Sequence, residues 1–251
     1  MNPWNTYEDR MVVRGNTRRE ASMIRTQRRL DNRIPSSLSY HVVHVNGEQR
    51  DLVILNSDNL DTKTLCTLPG EDLPHGGYVD WMDQRWIITE RDANTEIYTK
   101  AIMRQCNYLL RWVNDEGVIV ERWCIVEDGT KYLSGEFGDN SFVIMRGDSR
   151  ISVTIPRDSE TVKLNRTSRF IIDDYGSTDP IAYRLTKPLK MGFNYNGEGV
   201  YVFVMLECAV EPEDNIELHI ADYYKHFPRE CKNEDCTCDD SAPDTERVVW
   251  I

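Results

Sequence analysis

The 251-residue chain contains no glycine-rich phosphate loop, no H-E-x-x-H helix and no G-x-S-x-G elbow. No familiar carrier of nucleotide, zinc-protease or serine-hydrolase chemistry is therefore in view. Histidine is scarce and scattered, with five in all. His41 and His44 sit on one candidate strand and face opposite sides, and His75, between Pro74 and Gly76, reads as turn surface. Asp173 and Asp174 point to opposite faces of any strand that holds both, so they read as a strand-end turn rather than a two-carboxylate site. Long apolar runs are missing as well. The longest, Val200 to Leu206, stops at Glu207 and is too short to span a bilayer. The opening MNPWNTYEDR holds no basic leader with an apolar core, so no cleaved secretion signal is expected.

Cysteine has no framework spacing. Of seven, Cys66, Cys106, Cys124 and Cys208 stand alone in apolar or strand-like surroundings and read as reduced core thiols. Near the end, His226, Cys231, Cys236 and Cys238 offer four zinc-type ligands. Their C-x4-C-x-C spacing lacks the paired knuckles of a structural site, and the surrounding carboxylates mark a solvated or partner-docked tail instead. No cofactor is expected. The net charge of −12 argues against a protein that grips nucleic acid, whose affinity rests on clustered Lys and Arg.

What the chain does have is strand signal. Tyr78 to Trp81, Arg85 to Thr89 and Glu96 to Leu110 are rich in aromatic and β-branched residues and are separated by polar turns, which predicts a β-meander over Gly76 to Trp112. Trp86 and Ile88 fall on one face of the second run, and Arg85, Ile87 and Thr89 on the other. Trp81 and Trp86 read as core aromatics. Upstream, Asn46-Gly47 between Tyr40–Val45 and Arg50–Leu55 predicts a tight hairpin. Later strands are predicted at Val118–Val126, Lys131–Ser134, Ser141–Met145, Ile151–Ile155, Arg169–Asp173, Ile181–Thr186 and Val200–Val210, with one helical turn opened by Pro156 to Glu160. The fold class is mainly β, with an N-terminal helical arm, a small β-barrel and a second β-rich domain.

The arm differs from the rest. Between Arg14 and Arg33 lie seven arginines against Glu20 and Asp31 only. Thr17-Arg18-Arg19-Glu20 fits a capping box, and Pro35 ends the helix near Arg33. Its apolar face is thin: Met23, Ile24, Leu30 and Ala21. Two readings stand. The helix lies solvated and loose on the barrel, or Trp4, Tyr7 and the arginines Arg18, Arg19, Arg25, Arg28 and Arg29 dock onto an acidic neighbouring subunit. The boundaries are 1–34 for the arm, 35–112 for the barrel, 113–222 for the second β-rich domain and 223–251 for an acidic, Cys-containing tail.

Taken in order, the arm MNPWNTYEDR with GNTRRE, the hinge Arg33 to Tyr40, the turn Leu68-Pro69-Gly70-Glu71-Asp72, the pair Trp81 and Trp86, and the stretch Asn94 to Trp112 resemble the head-closure or head-tail adaptor proteins of the neck of long-tailed bacteriophages. The second half, through Pro156-Arg157-Asp158 and Arg169 to Asp173, is similar to the extended members. The resemblance implies a non-enzymatic virion component, assembled in the bacterial host cytoplasm and located in the neck. It implies a homo-oligomeric ring between portal and tail that closes the DNA-filled head and serves as tail attachment platform. Its partners would be itself, the portal or an adaptor, and tail proteins, with DNA passing through the lumen without sequence-specific binding and no membrane. An acidic wall suits such a lumen, because like charge keeps the duplex from sticking. The loops Leu68–Gly77 and Asp92–Glu96, with Leu68, Pro69 and Asn94, would make contacts along the ring axis. Alternatives are another phage tail protein (tail completion or tube), a small-ligand-binding β-barrel, or a β-fold hydrolase.

Overall fold

A computed structural model describes residues 4, 17–92, 96–128, 150–174, 177, 179–190, 194–195 and 197–228. The strands predicted at Lys131–Ser134 and Ser141–Met145 lie outside these. The chain folds into two compact units, Met1–Cys106 with Tyr195–Gly199, and Asn107–Asn194 with Val200–Ile251.

Helix α1 (Arg18–Arg33) starts where the sequence puts it. The Thr17 hydroxyl accepts from the Glu20 amide at 3.2 Å, and the Glu20 carboxylate accepts from the Thr17 amide at 3.3 Å. These bonds satisfy two of the free amides at the helix start. A 3-10 turn with Pro35, Ile34–Ser36, takes over at the other end. No residue of α1 is buried.

Six antiparallel strands close the barrel of the first unit: β1 (Tyr40–Val45), β2 (Glu48–Asn56), β3 (Thr62–Thr67), β4 (Tyr78–Trp81), β5 (Gln84–Arg91) and β6 (Lys100–Gln105). Their order is β1-β2-β3-β6-β5-β4, with β4 returning to β1 through Val45 opposite Val79. The Asn46-Gly47 hairpin is present, with φ of 51° and 84°. Inward-facing Val43, Val45, Leu52, Ile54, Leu65, Val79, Trp86, Ile88 and Met103 fill the interior, with Trp81 packed against them. The alternation expected for β5 is only half of the picture, since Ile87 on the opposite face is also fully buried. β3 carries little apolar signal. Its sequence TKTLCT places only Leu65 and Thr67 inward among the buried residues, which is why the strand is not evident from hydrophobicity.

His75 is buried rather than on the surface: its Nε2 lies 2.9 Å from the Thr89 carbonyl oxygen, and its ring packs on Tyr195 at 5.2 Å. The next residue, Gly76, has φ of 80°, and a Cβ there would stand 2.0 Å from the Gly199 carbonyl oxygen. Only glycine permits this approach of two backbones.

The run read as one strand from Glu96 to Leu110 is two, separated at Cys106–Asn107. Asn107 explains the break. Its side-chain amide donates to the Val126 carbonyl at 2.7 Å and its Oδ1 accepts from the Val126 amide at 2.8 Å, so it pairs like backbone with the second sheet. That sheet contains β7 (Tyr108–Val113), β8 (Ile119–Asp128), β9 (Arg150–Pro156), β10 (Arg169–Ile171), β11 (Ala182–Leu189), β12 (Asn194–Tyr195) and β13 (Glu198–Cys208), in the order β10-β11-β13-β9-β8-β7 with β12 on β13. Its core holds Leu110, Trp112, Val153, Ile155, Phe170, Leu185, Phe203 and Met205. The outermost strands, β7 and β10, meet. The Tyr108 hydroxyl of β7 donates to the Ile171 carbonyl at 3.2 Å, accepts from the Asp173 amide at 3.4 Å and lies 3.2 Å from His219 Nδ1. Trp112 packs edge-on against Phe170. The fold is mainly β, with an N-terminal helix followed by two barrel-like sheets.

The predicted turn after Pro156 forms around Asp158. Its Oδ1 accepts from the Glu160 and Thr161 amides at 2.9 and 2.7 Å, and its Oδ2 takes the Arg122 guanidinium. Burial opposes ionisation there, and the bonds from Arg122 and Thr161 outweigh it, holding the carboxyl below its ordinary range. Asp173 is a strand-end turn as expected: its two oxygens accept from the amides of Asp174 and Ile181.

Candidate functional site

The antiparallel pairing sorts the connections of the barrel onto two ends. Asn46-Gly47, the β3–β4 connection and the β5–β6 connection lie at one end. Ser37–Ser39, the β2–β3 connection and the Met82-Asp83 turn lie at the other. At the first end the Gly70 amide donates to the Ile97 carbonyl at 3.0 Å and the Thr67 amide to the Thr99 carbonyl at 3.0 Å. Half-buried Leu68 and Pro69 thus adjoin the β5–β6 connection. Arg19 pairs with Glu96 of that connection, which brings the start of α1 to the same end. The 3-10 turn and Ser37–Ser39 carry the chain to the opposite end, so α1, about 24 Å long, runs beside the barrel.

Of the candidate interface residues, Arg18, Arg25, Arg28 and Arg29 are exposed on α1, while Arg19 is engaged with its own barrel. Trp4 is 68% exposed. Tyr7 and Asn94 lie outside the described residues. Arg18, Arg25 and Arg29 recur at helical spacing and form one basic face with Arg28 at its margin. The face toward the barrel holds Ala21, Met23, Ile24 and Leu30, all half-buried. Among the described residues, Met23 and its neighbours form a thin apolar strip, and the Arg19–Glu96 ion pair beside it is exposed, worth at most about 1 kcal/mol.

His226, on the short helix α2 (Tyr223–His226), is exposed. Cys231, Cys236 and Cys238 lie outside the described residues. A carboxylate trio, Glu211, Glu213 and Asp222, has its oxygens within 4.8 Å of one another. Cations of the protein itself already occupy it. Arg169 reaches Glu211 at 3.3 Å and Asp222 at 3.0 Å, and Lys225 reaches Glu213 at 3.2 Å and Asp222 at 2.8 Å. Behind them, Arg169, 3% exposed, grips fully buried Asp214 with two bonds of 3.0 and 2.9 Å and donates to the Ala209 carbonyl at 2.9 Å. This buried network is a scaffold for residues 209–222. No sequence motif marks it, because Asp214 and its partner Arg169 are 45 residues apart.

Cys106 and Cys124 are buried and Cys66 and Cys208 half-buried, all four as free thiols. Burial pushes the Cys106 thiol up to about 12, which makes it a poor nucleophile at neutral pH. The buried ring of His75 bonds a backbone carbonyl, that of Thr89, rather than a hydroxyl or thiol. His219 touches the Tyr108 hydroxyl, but that hydroxyl holds the seam of the second sheet.

Among the described residues, no helix is long and apolar enough to cross a membrane. No curated protein and no solved structure matches the chain. Residues 16–105, which are α1 and the closed barrel through the last residue of β6, match the family model of the YomX N-terminal domain, a phage-associated family, and the match supports a phage protein.

Proposed function

We propose that the protein is a non-enzymatic structural component of the phage virion, a subunit that assembles through its basic arm and barrel into a homo-oligomeric ring in the neck. There the ring would join portal and tail, close the filled head and give the tail its platform. One observation supports assembly above all: a well-capped helix with exposed arginines and no buried residue lies on a chain of net charge −12. Such a helix gains little from its own barrel and has much to gain from a neighbour's carboxylates. The closed barrel adds a rigid base from which loops at either end can reach partners.

The neck position follows the resemblance of the arm, the hinge and the Trp81–Trp86 pair, and a tail-completion or tube subunit is the second reading. Against a small-ligand barrel stands the interior itself, filled by Leu52, Leu65, Val79, Trp86, Ile88 and Met103. The test is negative-stain microscopy with light scattering on the purified full chain, alone and after deletion of residues 1–33. Rings or tubes that disappear with the arm are expected. A parent that stays monomeric at high concentration overturns the proposal, and so does assembly that the deletion leaves unchanged.

A further inference from the structure

The three most exposed large apolar side chains of the barrel unit described after residue 17 are Leu38 at 100%, Leu60 at 90% and Met82 at 68%. They come from three separate connections, and the strand directions put all three at one end of the barrel, opposite the Asn46-Gly47 hairpin. Hydrogen bonds tie that end together. The Gln105 amide donates to the Asp61 carbonyl at 2.9 Å, the Gln105 side chain donates to Gln84 Oε1 at 2.9 Å, and the Ile54 amide donates to the Ser39 carbonyl at 2.8 Å.

Two of the apolar tips are followed directly by an acid, Leu60 by Asp61 and Met82 by Asp83, and Asp58 lies two residues before Leu60. Asp61 has an ion pair with Arg104 at 3.7 Å and stays 60% exposed. The Met82-Asp83 turn is also held at a cost. Both residues have left-handed backbone, with φ of 51° and 57°. A methionine is a poor choice for that conformation, which the other hairpin of this barrel fills with Asn46-Gly47. Neither local backbone preference nor packing within the barrel accounts for an exposed Met82.

We propose that this rim is the receptor for the basic face of α1 from a second copy of the chain. The inference rests on the reading of the protein as a self-assembling ring. The chemistry is complementary. Arg25, Arg28 and Arg29 present long methylene stems that can cover Leu60 and Met82, while their guanidinium groups reach Asp58, Asp61 and Asp83. In a single copy the basic face of α1 is turned to solvent, since Ala21, Met23, Ile24 and Leu30 are the half-buried apolar residues of the helix, and the helix runs beside the barrel rather than across its mouth. Head-to-tail contact of this kind, helix of one copy on rim of the next, is heterologous and generates a ring when the rotation closes.

The experiment uses three full-length variants. Asp58→Lys with Asp83→Lys reverses the rim, Arg25→Glu with Arg28→Glu reverses the helix, and Met82→Asn with Asp83→Gly replaces the strained turn by one that needs no strain. Each is expected to weaken association at least tenfold by light scattering or sedimentation. The third is expected to be more resistant to urea than the parent, which excludes misfolding as the cause. Mixing the two charge-reversed proteins should restore complexes that neither forms alone. A photo-crosslinking residue at position 60, in a mixture of light and nitrogen-15-labelled chains, should capture residues 18–33 of the other chain. If the parent assembles and the rim variants assemble equally well, the rim is not the receptor and the ring reading survives. If the parent does not assemble, both fall.

Discussion

Replacing Asp214 by asparagine removes one oxygen and one charge, and the geometry around it makes the change severe. The carboxylate accepts four bonds: Arg169 Nη1 at 3.0 Å and the Asp222 amide at 2.8 Å on one oxygen, Arg169 Nη2 at 2.9 Å and the Glu211 amide at 2.8 Å on the other. Every partner is a donor. An amide NH2 on either side therefore faces two donors and can bond neither. The Arg169 guanidinium, whose charge is favoured by its bonds to Asp214 although burial works against it, also loses its most buried counterion. Breaking one side of a buried ion pair costs about 3 to 5 kcal/mol. Asp222 and Glu211 still partly neutralise Arg169, so the lower end, about 3 kcal/mol, is expected for Asp214→Asn. Urea unfolding reads the loss, and amide exchange locates it. Protection should fall over residues 209–222 and β10 while β1 to β6, in the other unit, keep theirs. A variant whose unfolding free energy matches the parent's to within about 0.5 kcal/mol would refute the assignment of the network as a scaffold.

His219 is held neutral by burial, which lowers its pKa from 6.5, with Arg111 pushing the same way and Asp173 opposing. The unfolded chain takes up a proton below about pH 6.5 that the folded chain resists, so stability is fully present above that pH and declines as the pH falls. Urea midpoints taken from pH 7.5 to 5.5 should show the decline, and His219→Asn should flatten it; an unchanged slope in the variant sinks the idea. Gly76→Ala forces a methyl group to within 2.0 Å of the Gly199 oxygen at φ of 80°, and a loss of more than about 2 kcal/mol is expected in thermal or urea melts. Thr17→Ala removes the hydroxyl of the capping box and is expected to lower the helicity of α1 by circular dichroism, at a cost of about 1 kcal/mol in that helix; unaltered helicity would show that the cap is dispensable.

The parts legible in the sequence are those where local chemistry decides. Thr17 with Glu20, Pro35, and Asn46-Gly47 each leave the backbone one economical course, and each is found as expected. The class of the fold follows from the spacing of aromatic and β-branched residues. Less legible is whatever depends on a partner far along the chain. Asn107 looks like one more polar residue in a strand until Val126 stands opposite it. His75 looks like turn surface because Thr89 and Tyr195, which bury it, are 14 and 120 residues away. β3 has the composition of a loop and becomes a strand because β2 and β6 flank it. The exposed arginines of α1 were readable as a basic face; the three apolar tips at one barrel end were not, since they come from residues 38, 60 and 82 and only the direction of the strands gathers them.

The circle β1-β2-β3-β6-β5-β4 gives every strand of the barrel a partner on both sides. A sheet with a bare margin would recruit its own kind by continuous backbone bonding, and at the crowding of a replicating cell that route ends in fibrils. Should copies of the barrel associate as proposed, side chains rather than an open sheet margin would carry the contact, through interactions that salt weakens and that individual residues specify. If the protein assembles as proposed, errors made through such contacts would be reversible, and a finite particle could correct itself before it is complete.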